Sequence, residues 1–176
     1  MKFNYIIPKD VNVDDYLGKF NTEEAIAAFE AQIDSVHEVC ARTDLTMDVC
    51  VFTPTESSDP LFPQCNMGYD GRHFIMVNIG NGLKDIRHLL LATIFQINMV
   101  ESGALVFLSE FGKDAVFNGQ IFNTKDCIDR VDGLIEQYNN GEIDKREFAY
   151  RRIWTTPWAL EAHREAAEFF PAKYVL

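Results

Sequence analysis

The chain has 176 residues, 47% hydrophobic and 24% charged, which is ordinary for a globular protein and long enough for one domain with a real core, spanning 1–176. Its formal net charge is −11, a balance that repels free nucleic acid and argues against direct nucleic-acid binding. The opening MKFNYIIPKD has no long apolar run of the kind a secretory signal needs. Cys40, Cys50, Cys65 and Cys127 form no C-x-x-C pair, so no zinc knuckle or thioredoxin motif is expected, and the thiols read as reduced groups in a cytoplasmic protein.

Residues 22–41 read as an amphipathic helix. Asn21 or Thr22 can cap it, Glu23 and Glu24 suit the first turn, and Ile26, Phe29, Ile33, Val36 and Cys40 make one stripe. Met47 to Phe52 reads as a strand. Pro54 to Gly71 holds three prolines, two serines and two glycines and is expected to be a long surface loop. Phe74 to Ile79 is a nearly continuous apolar run, the pattern of a buried strand. Gly80-Asn81-Gly82 ends it.

Leu83 to Ser102 follows, with Leu83, Ile86, Leu89, Leu90, Ile94, Ile97 and Val100 at helical spacing and Leu91, Phe95 and Met99 widening the apolar face. A soluble chain places such a helix at its centre. Lys84, Asp85, Arg87, His88, Gln96 and Asn98 argue against a membrane span. Gly103 stops the helix. Ala104 to Phe111 is apolar and fits either strand or helix. Val116 to Phe122 reads as a hairpin around Asn118-Gly119, since both residues tolerate the positive φ of a type I′ turn.

Asp126 to Tyr138 predicts a helix burying Cys127, Val131, Leu134, Ile135 and Tyr138, closed by Asn139-Asn140-Gly141. Glu142 to Ile153 suggests a short helix with a basic face of Lys145, Arg146, Arg151 and Arg152, most simply a solvated one. Pro157 opens a last helix through Leu160, Ala162, Ala166 and Phe169, stopped by Pro171. Trp154 and Trp158, flanking Pro157, read as core residues. The order α-β-β-α-hairpin-α-α is that of an α+β domain, with a small mixed sheet against a buried central helix and flanking helices.

Three stretches resemble one family. RHFIMVNIGNGLKDIRHLLLATIFQINMV has a strand, a polar turn and a helix, with Leu90, Leu91, Thr93 and Ile94 as lead-in. VFNGQIF, Val116 to Phe122, is similar to an aromatic-x-Gly-x-x-aromatic hairpin. TTPWALEAHREAAEFF matches a closing Pro-Trp segment at Pro157, Trp158, Glu161 and Ala162, with Ala159 in place of a Glu. Together they resemble the zincins, specifically the minimal metallopeptidase-like proteins of phage genomes, over roughly Arg72 to Phe170. The resemblance implies a zincin-like fold whose central helix would carry His-Glu-x-x-His, two ligands on one helix face with a base between them. In this chain Gln96 stands at the first ligand, Ile97 at the base and Val100 at the second ligand. Neither Ile nor Val binds metal, so the expected site is a degenerate one with no metal and no cofactor. Gln96 and Asn98 are its polar remnant, with Glu161 a candidate to hydrogen-bond them.

Other histidines are weaker candidates. His37-Glu38 has half the zinc motif, but Ala41 stands where the second His must be. His88 is expected as a helix-start or core residue paired with Asp85. His163 lies between Glu161 and Glu165, and His73 opens a strand.

Residues 1–60 hold twelve acids against four bases. Their acidic surface is either a solvated face or a docking surface for a basic partner, with Asp14, Asp15, Glu23, Glu24, Glu30 and Asp34 as the contact residues. The resulting expectation is a non-catalytic phage or mobile-element protein that binds and inhibits a basic host protein, a nucleic-acid-binding complex or a defence factor, in the host cytoplasm and without membrane contact. The alternatives are a metal-dependent hydrolase with non-standard ligands and a structural, virion-associated protein.

Overall fold

The computed structural model describes residues 23–45, 51–55, 65–69, 73–78, 85–108, 114–145, 147–148, 151 and 156–172. The fold is α+β, with four helices and six strands among these residues. It divides into two compact units, the first ending at Ile94 and the second beginning at Phe95.

In the first unit, helix α1 spans Glu23–Arg42. Ile33, Val36, Val39 and Cys40 are buried, while Ala31, Asp34, Glu38 and Ala41 are exposed. This is the amphipathic division that the spacing predicts. The proposed cap at Asn21 or Thr22 lies outside the described residues. The C-terminus closes beyond the expected Ala41. Asp44 adopts a left-handed φ of 55°, and the Leu45 N–H returns to the Cys40 carbonyl at 3.2 Å, the six-to-one bond of a Schellman ending. The Thr43 hydroxyl adds a bond to the Val39 carbonyl at 2.8 Å.

Strands β1 (Val51–Thr55), β2 (Cys65–Tyr69) and β3 (His73–Asn78) form a mixed sheet. The order is β1-β3-β2. β3 runs parallel to β1 and antiparallel to β2, with Phe52 and Met67 both opposite Ile75. This corrects the single long loop expected from Pro54 to Gly71, because β2 lies inside it and β1 runs through Pro54 to Thr55. Pro54 is compatible with an outer strand, where a missing N–H breaks no ladder bond. Asn66 and Gly68 have poor strand propensity. Pairing with the apolar β3 overrides it, and no local signal could show that.

Helix α2 spans Arg87–Glu101, four residues later than the expected Leu83. The Ile86 carbonyl receives the first helical bond, from the Leu90 N–H at 2.8 Å. The apolar spacing runs back to Ile86, which is buried without being helical. Periodicity therefore overstated the helix at this end. At the other end Gly103, with φ of 79°, terminates it as predicted.

In the second unit β4 (Leu105–Phe107), β5 (Asp114–Phe117) and β6 (Gln120–Asn123) form an antiparallel sheet in chain order. This resolves the ambiguous Ala104 to Phe111 stretch as containing a strand. Asn118 and Gly119 have φ of 49° and 79°, the left-handed pair of the predicted type I′ turn. Helix α3 spans Thr124–Asn139 and starts directly from β6, because the Asn123 side chain accepts from the Lys125 N–H at 2.9 Å. Of its expected inward residues, Val131, Leu134, Ile135 and Tyr138 are half-buried rather than buried. Asn140 and Gly141 close it, as expected.

Asp144 then caps the helical residues Lys145, Glu147, Phe148 and Arg151, accepting from the Glu147 N–H at 2.8 Å. Phe148 is buried with its ring 5.7 Å from that of Tyr138. Helix α4, Pro157–Phe169, has Thr156 as N-cap and Pro157 in the first turn. Its buried stripe is Trp158, Ala162 and Ala166. Leu160 is only half-buried and Phe169 is exposed, so the expected stripe is off by part of a turn.

Trp158 anchors the second unit's core with Leu105, Ala115 and Phe117, against which Met99, Val100, Phe122 and Ala159 pack. Its ring lies 6.0 to 6.3 Å from those of Phe107, Phe117 and Phe122, edge to face, the geometry the ring quadrupoles favour.

Gly119 occupies the left-handed region with open space around its missing Cβ. Gly119→Ala therefore meets no clash and isolates the backbone strain. A loss of about 1–2 kcal/mol in urea unfolding is expected.

Candidate functional site

The candidate site is α2, where a zinc-protease helix would carry its chemistry. From Leu90 to Ile94 every residue is buried, so this half of the helix has no solvent face. The only polar side chain in that run, Thr93, donates its hydroxyl to the Leu89 carbonyl at 2.8 Å. It is satisfied inside its own helix.

The second half opens partly. Gln96 and Val100, four residues apart, share a face and are half-buried, whereas Ile97 has no solvent exposure. Val100 packs against the Trp158 cluster, so the position where the expected resemblance would put a second ligand makes a hydrophobic contact. This donor set does not fit zinc. It offers one amide oxygen, no imidazole and no carboxylate, and the base position is an aliphatic side chain closed to water.

Glu161 lies on the exposed side of α4, away from Trp158, Ala162 and Ala166. Asn98 is half-buried and has a partner for its polar groups.

At the start of α2, Asp85 is paired first with Arg87, and His88 adds a weaker electrostatic interaction. The guanidinium reaches both carboxylate oxygens, at 2.9 and 2.7 Å, and the Arg87 N–H adds a bond of 3.2 Å. The Arg87 hydrogen bonds hold the Asp85 carboxyl below the ordinary carboxylate range, and the His88 charge acts in the same direction as a lesser cause. His88 itself is buried, in keeping with a helix-start core residue. His37 and His163 are half-buried on α1 and α4, and His73 opens β3. Glu38 and Ala41 are exposed, so only the Glu38 side of the half-motif faces solvent. Among the described residues, no three of His, Cys, Asp and Glu group as a metal site would.

Of the acidic surface, Asp34, Glu38 and Asp44 are exposed on and just after α1. Glu23, Glu24 and Glu30 belong to α1 by backbone. Asp14 and Asp15 lie outside the described residues. On the basic segment Arg151 is paired, 2.6 Å from Glu147, with a longer bond to Gln137 at 3.4 Å. Among the described residues, no helix is long and apolar enough to cross a membrane.

Two features were not singled out from the sequence. The Gln32 side-chain oxygen accepts from the N–H of Ile86 at 2.8 Å. That bond ties α1 to the turn entering α2, and a partner 54 positions away leaves no sequence signature. Cys65, at the head of β2, is the other. The residue is half-buried as a whole, but its thiol is desolvated, and burial pushes it up to about 12. Neither Cys40 nor Cys65 is in a disulfide.

Comparison of the chain with protein-family models, with curated proteins and with solved structures gives no match.

Gln32→Ala removes the acceptor of a buried N–H, since Ile86 is 1% exposed. A loss of about 1–3 kcal/mol is expected in chemical denaturation. Gln32→Glu keeps the acceptor oxygen and should recover part of it.

The raised Cys65 value contributes stability that is present below the ordinary thiol value of 9.0 and is lost as pH rises towards 12. At pH 8, iodoacetamide should label Cys65 in the folded protein about a thousandfold more slowly than in the unfolded chain, following the thiolate fractions set by 12 and 9.0. Peptide mass mapping reads the two rates, and equal rates would show the thiol to be accessible.

Proposed function

We propose that the chain is a non-catalytic, zincin-like binding protein that uses an acidic surface to dock on a basic protein partner. The observation that carries the reading is the state of the α2 positions. Ile97 is fully buried where a base would have to meet water, and Val100 is packed into a hydrophobic cluster. A helix in that condition contributes packing, not chemistry, and leaves function to the surface. The charge of −11, with Asp34 and Glu38 exposed on α1, supports a cationic partner, because complementary charge speeds encounter and selects among partners.

The resemblance to phage metallopeptidase-like proteins supports a phage or mobile-element origin. On this reading the chain works in the host cytoplasm, and its partner is a host nucleic-acid-binding or defence factor that it inhibits by occupying a basic surface. Such a factor owes its basic surface to phosphate binding, which makes an acidic protein an effective competitor.

The test starts from a partner recovered with the protein from its native host. Reversing charge at Glu23, Glu24 and Glu30 should weaken the complex about tenfold or more and flatten its salt dependence, measured by titration calorimetry at several salt concentrations. Unchanged affinity would reduce the acidic face to a solvated one. Elemental analysis of protein purified without an affinity tag checks the other side, and stoichiometric zinc would overturn the non-catalytic reading.

A further inference from the structure

Both faces of the second unit's sheet carry apolar side chains, with Asp114 and Asn123 among them on the outer face. The inner face carries Leu105, Ala115 and Phe117, all buried with Trp158. The register places Val106 opposite Val116, and Val116 opposite Ile121, so these three β-branched side chains form one row across β4, β5 and β6. Alternation along each strand puts that row on the face opposite Ala115 and Phe117. Leu108 extends it, because its N–H donates to the Asp114 carbonyl at 2.9 Å and so keeps the register one pair further.

The row is exposed at its flanks, with Val116 half-buried between them. Ile121 is 78% exposed, Leu108 55% and Val106 43%. A one-sided antiparallel sheet ordinarily turns polar residues to water. An apolar row across adjoining strands is the kind of patch that marks an interaction surface.

The charge of the chain selects the occupant. Asp114, on the same face as Val116, is the only charged residue on that face among the described residues, and residues 95–176 hold thirteen acids against nine bases. A second copy would bring a second Asp114 and oppose −11 to −11. A cationic surface with apolar side chains between its charges complements both features.

We infer that the outer face of the β4-β5-β6 sheet, with Val106, Leu108, Val116 and Ile121 as apolar contacts and Asp114 as charged rim, docks a basic amphipathic segment of a protein partner. This rests on the proposed acidic-docking function: the chain's negative charge favours a cationic partner, and the sheet face supplies a desolvated contact that slows its release.

The test uses the full chain and two synthetic peptides of equal length and charge, one alternating Lys with Val and one alternating Lys with Ser. The wild-type protein should bind the Lys-Val peptide about tenfold more tightly. The double variant Val106→Ser, Ile121→Ser should lose that preference and keep its affinity for the Lys-Ser peptide. Equal binding of both peptides by the wild type overturns this inference and leaves the acidic-docking reading standing. Binding of neither overturns the acidic-docking reading itself.

The melting temperature of Ile121→Asp should match the wild type, since the side chain is 78% exposed; a fall of several degrees would mean the chain's own residues cover this face. Sedimentation should show wild type and variant in the same oligomeric state. Wild-type self-association lost in Ile121→Asp would make the occupant a second copy and overturn the cationic partner.

Discussion

Leu90, Leu91, Ala92 and Ile94 are each at most 1% exposed, and Ile97 is not exposed at all. With Thr93, which is also buried, Leu90 to Ile94 are five consecutive buried residues, so their side chains point in every direction around that part of α2. A helix buried in this way cannot sit at a surface, and apolar groups must meet it from all sides. The requirement reaches outward through the first unit. The Ile33, Val36 and Cys40 stripe of α1 is buried, and Gln32 on the same helix accepts the N–H of Ile86 just before α2 begins. That bond is the polar counterpart of the packing. It satisfies a donor that burial would otherwise leave unpaired at a helix entrance.

The same packing leaves the Gln96, Ile97 and Val100 positions without the donor set that a zinc site needs. Catalysis by a bound metal needs ligands and a base facing water and substrate. Ile97 faces neither, and Val100 is occupied by the Trp158 cluster. Gln96 and Asn98 remain as polar, half-buried groups. Two residues apart, they point to opposite sides of α2, so enclosure in this half is incomplete on more than one side. The position that would be chemically decisive in a protease is thus one of the best packed in this protein.

The second unit is organised differently. A two-residue turn fixes the register of β5 and β6, and register decides which side chains share a face. Ala115, Phe117 and Phe122 fall on one side and meet Trp158. Val116 and Ile121 fall on the other. One local decision, the positive φ of Asn118 and Gly119, therefore both builds the aromatic core and leaves an apolar row in solvent. Trp158 can serve as the anchor because Thr156 and Pro157 set where α4 begins, which fixes the face that carries the indole.

Features whose causes lie within a few residues are legible in the chain alone. The amphipathic stripe of α1, the Asn-Gly turn, the Gly103 stop and the Thr156-Pro157 start are all local, and each can be read from neighbouring residues. The remaining features depend on the folded chain. β2 exists because Cys65 to Tyr69 can pair with β3, against the propensities of Asn66 and Gly68. α2 begins at Arg87 rather than Leu83 because Ile86 is buried outside the helix, where periodicity cannot tell coil from helix. The stripe of α4 is set by Trp158 meeting three aromatic rings. Local chemistry fixes where the chain can turn and which faces it can bury. Which of those options is taken depends on contacts between distant residues, whose energies do not exist until the chain has folded.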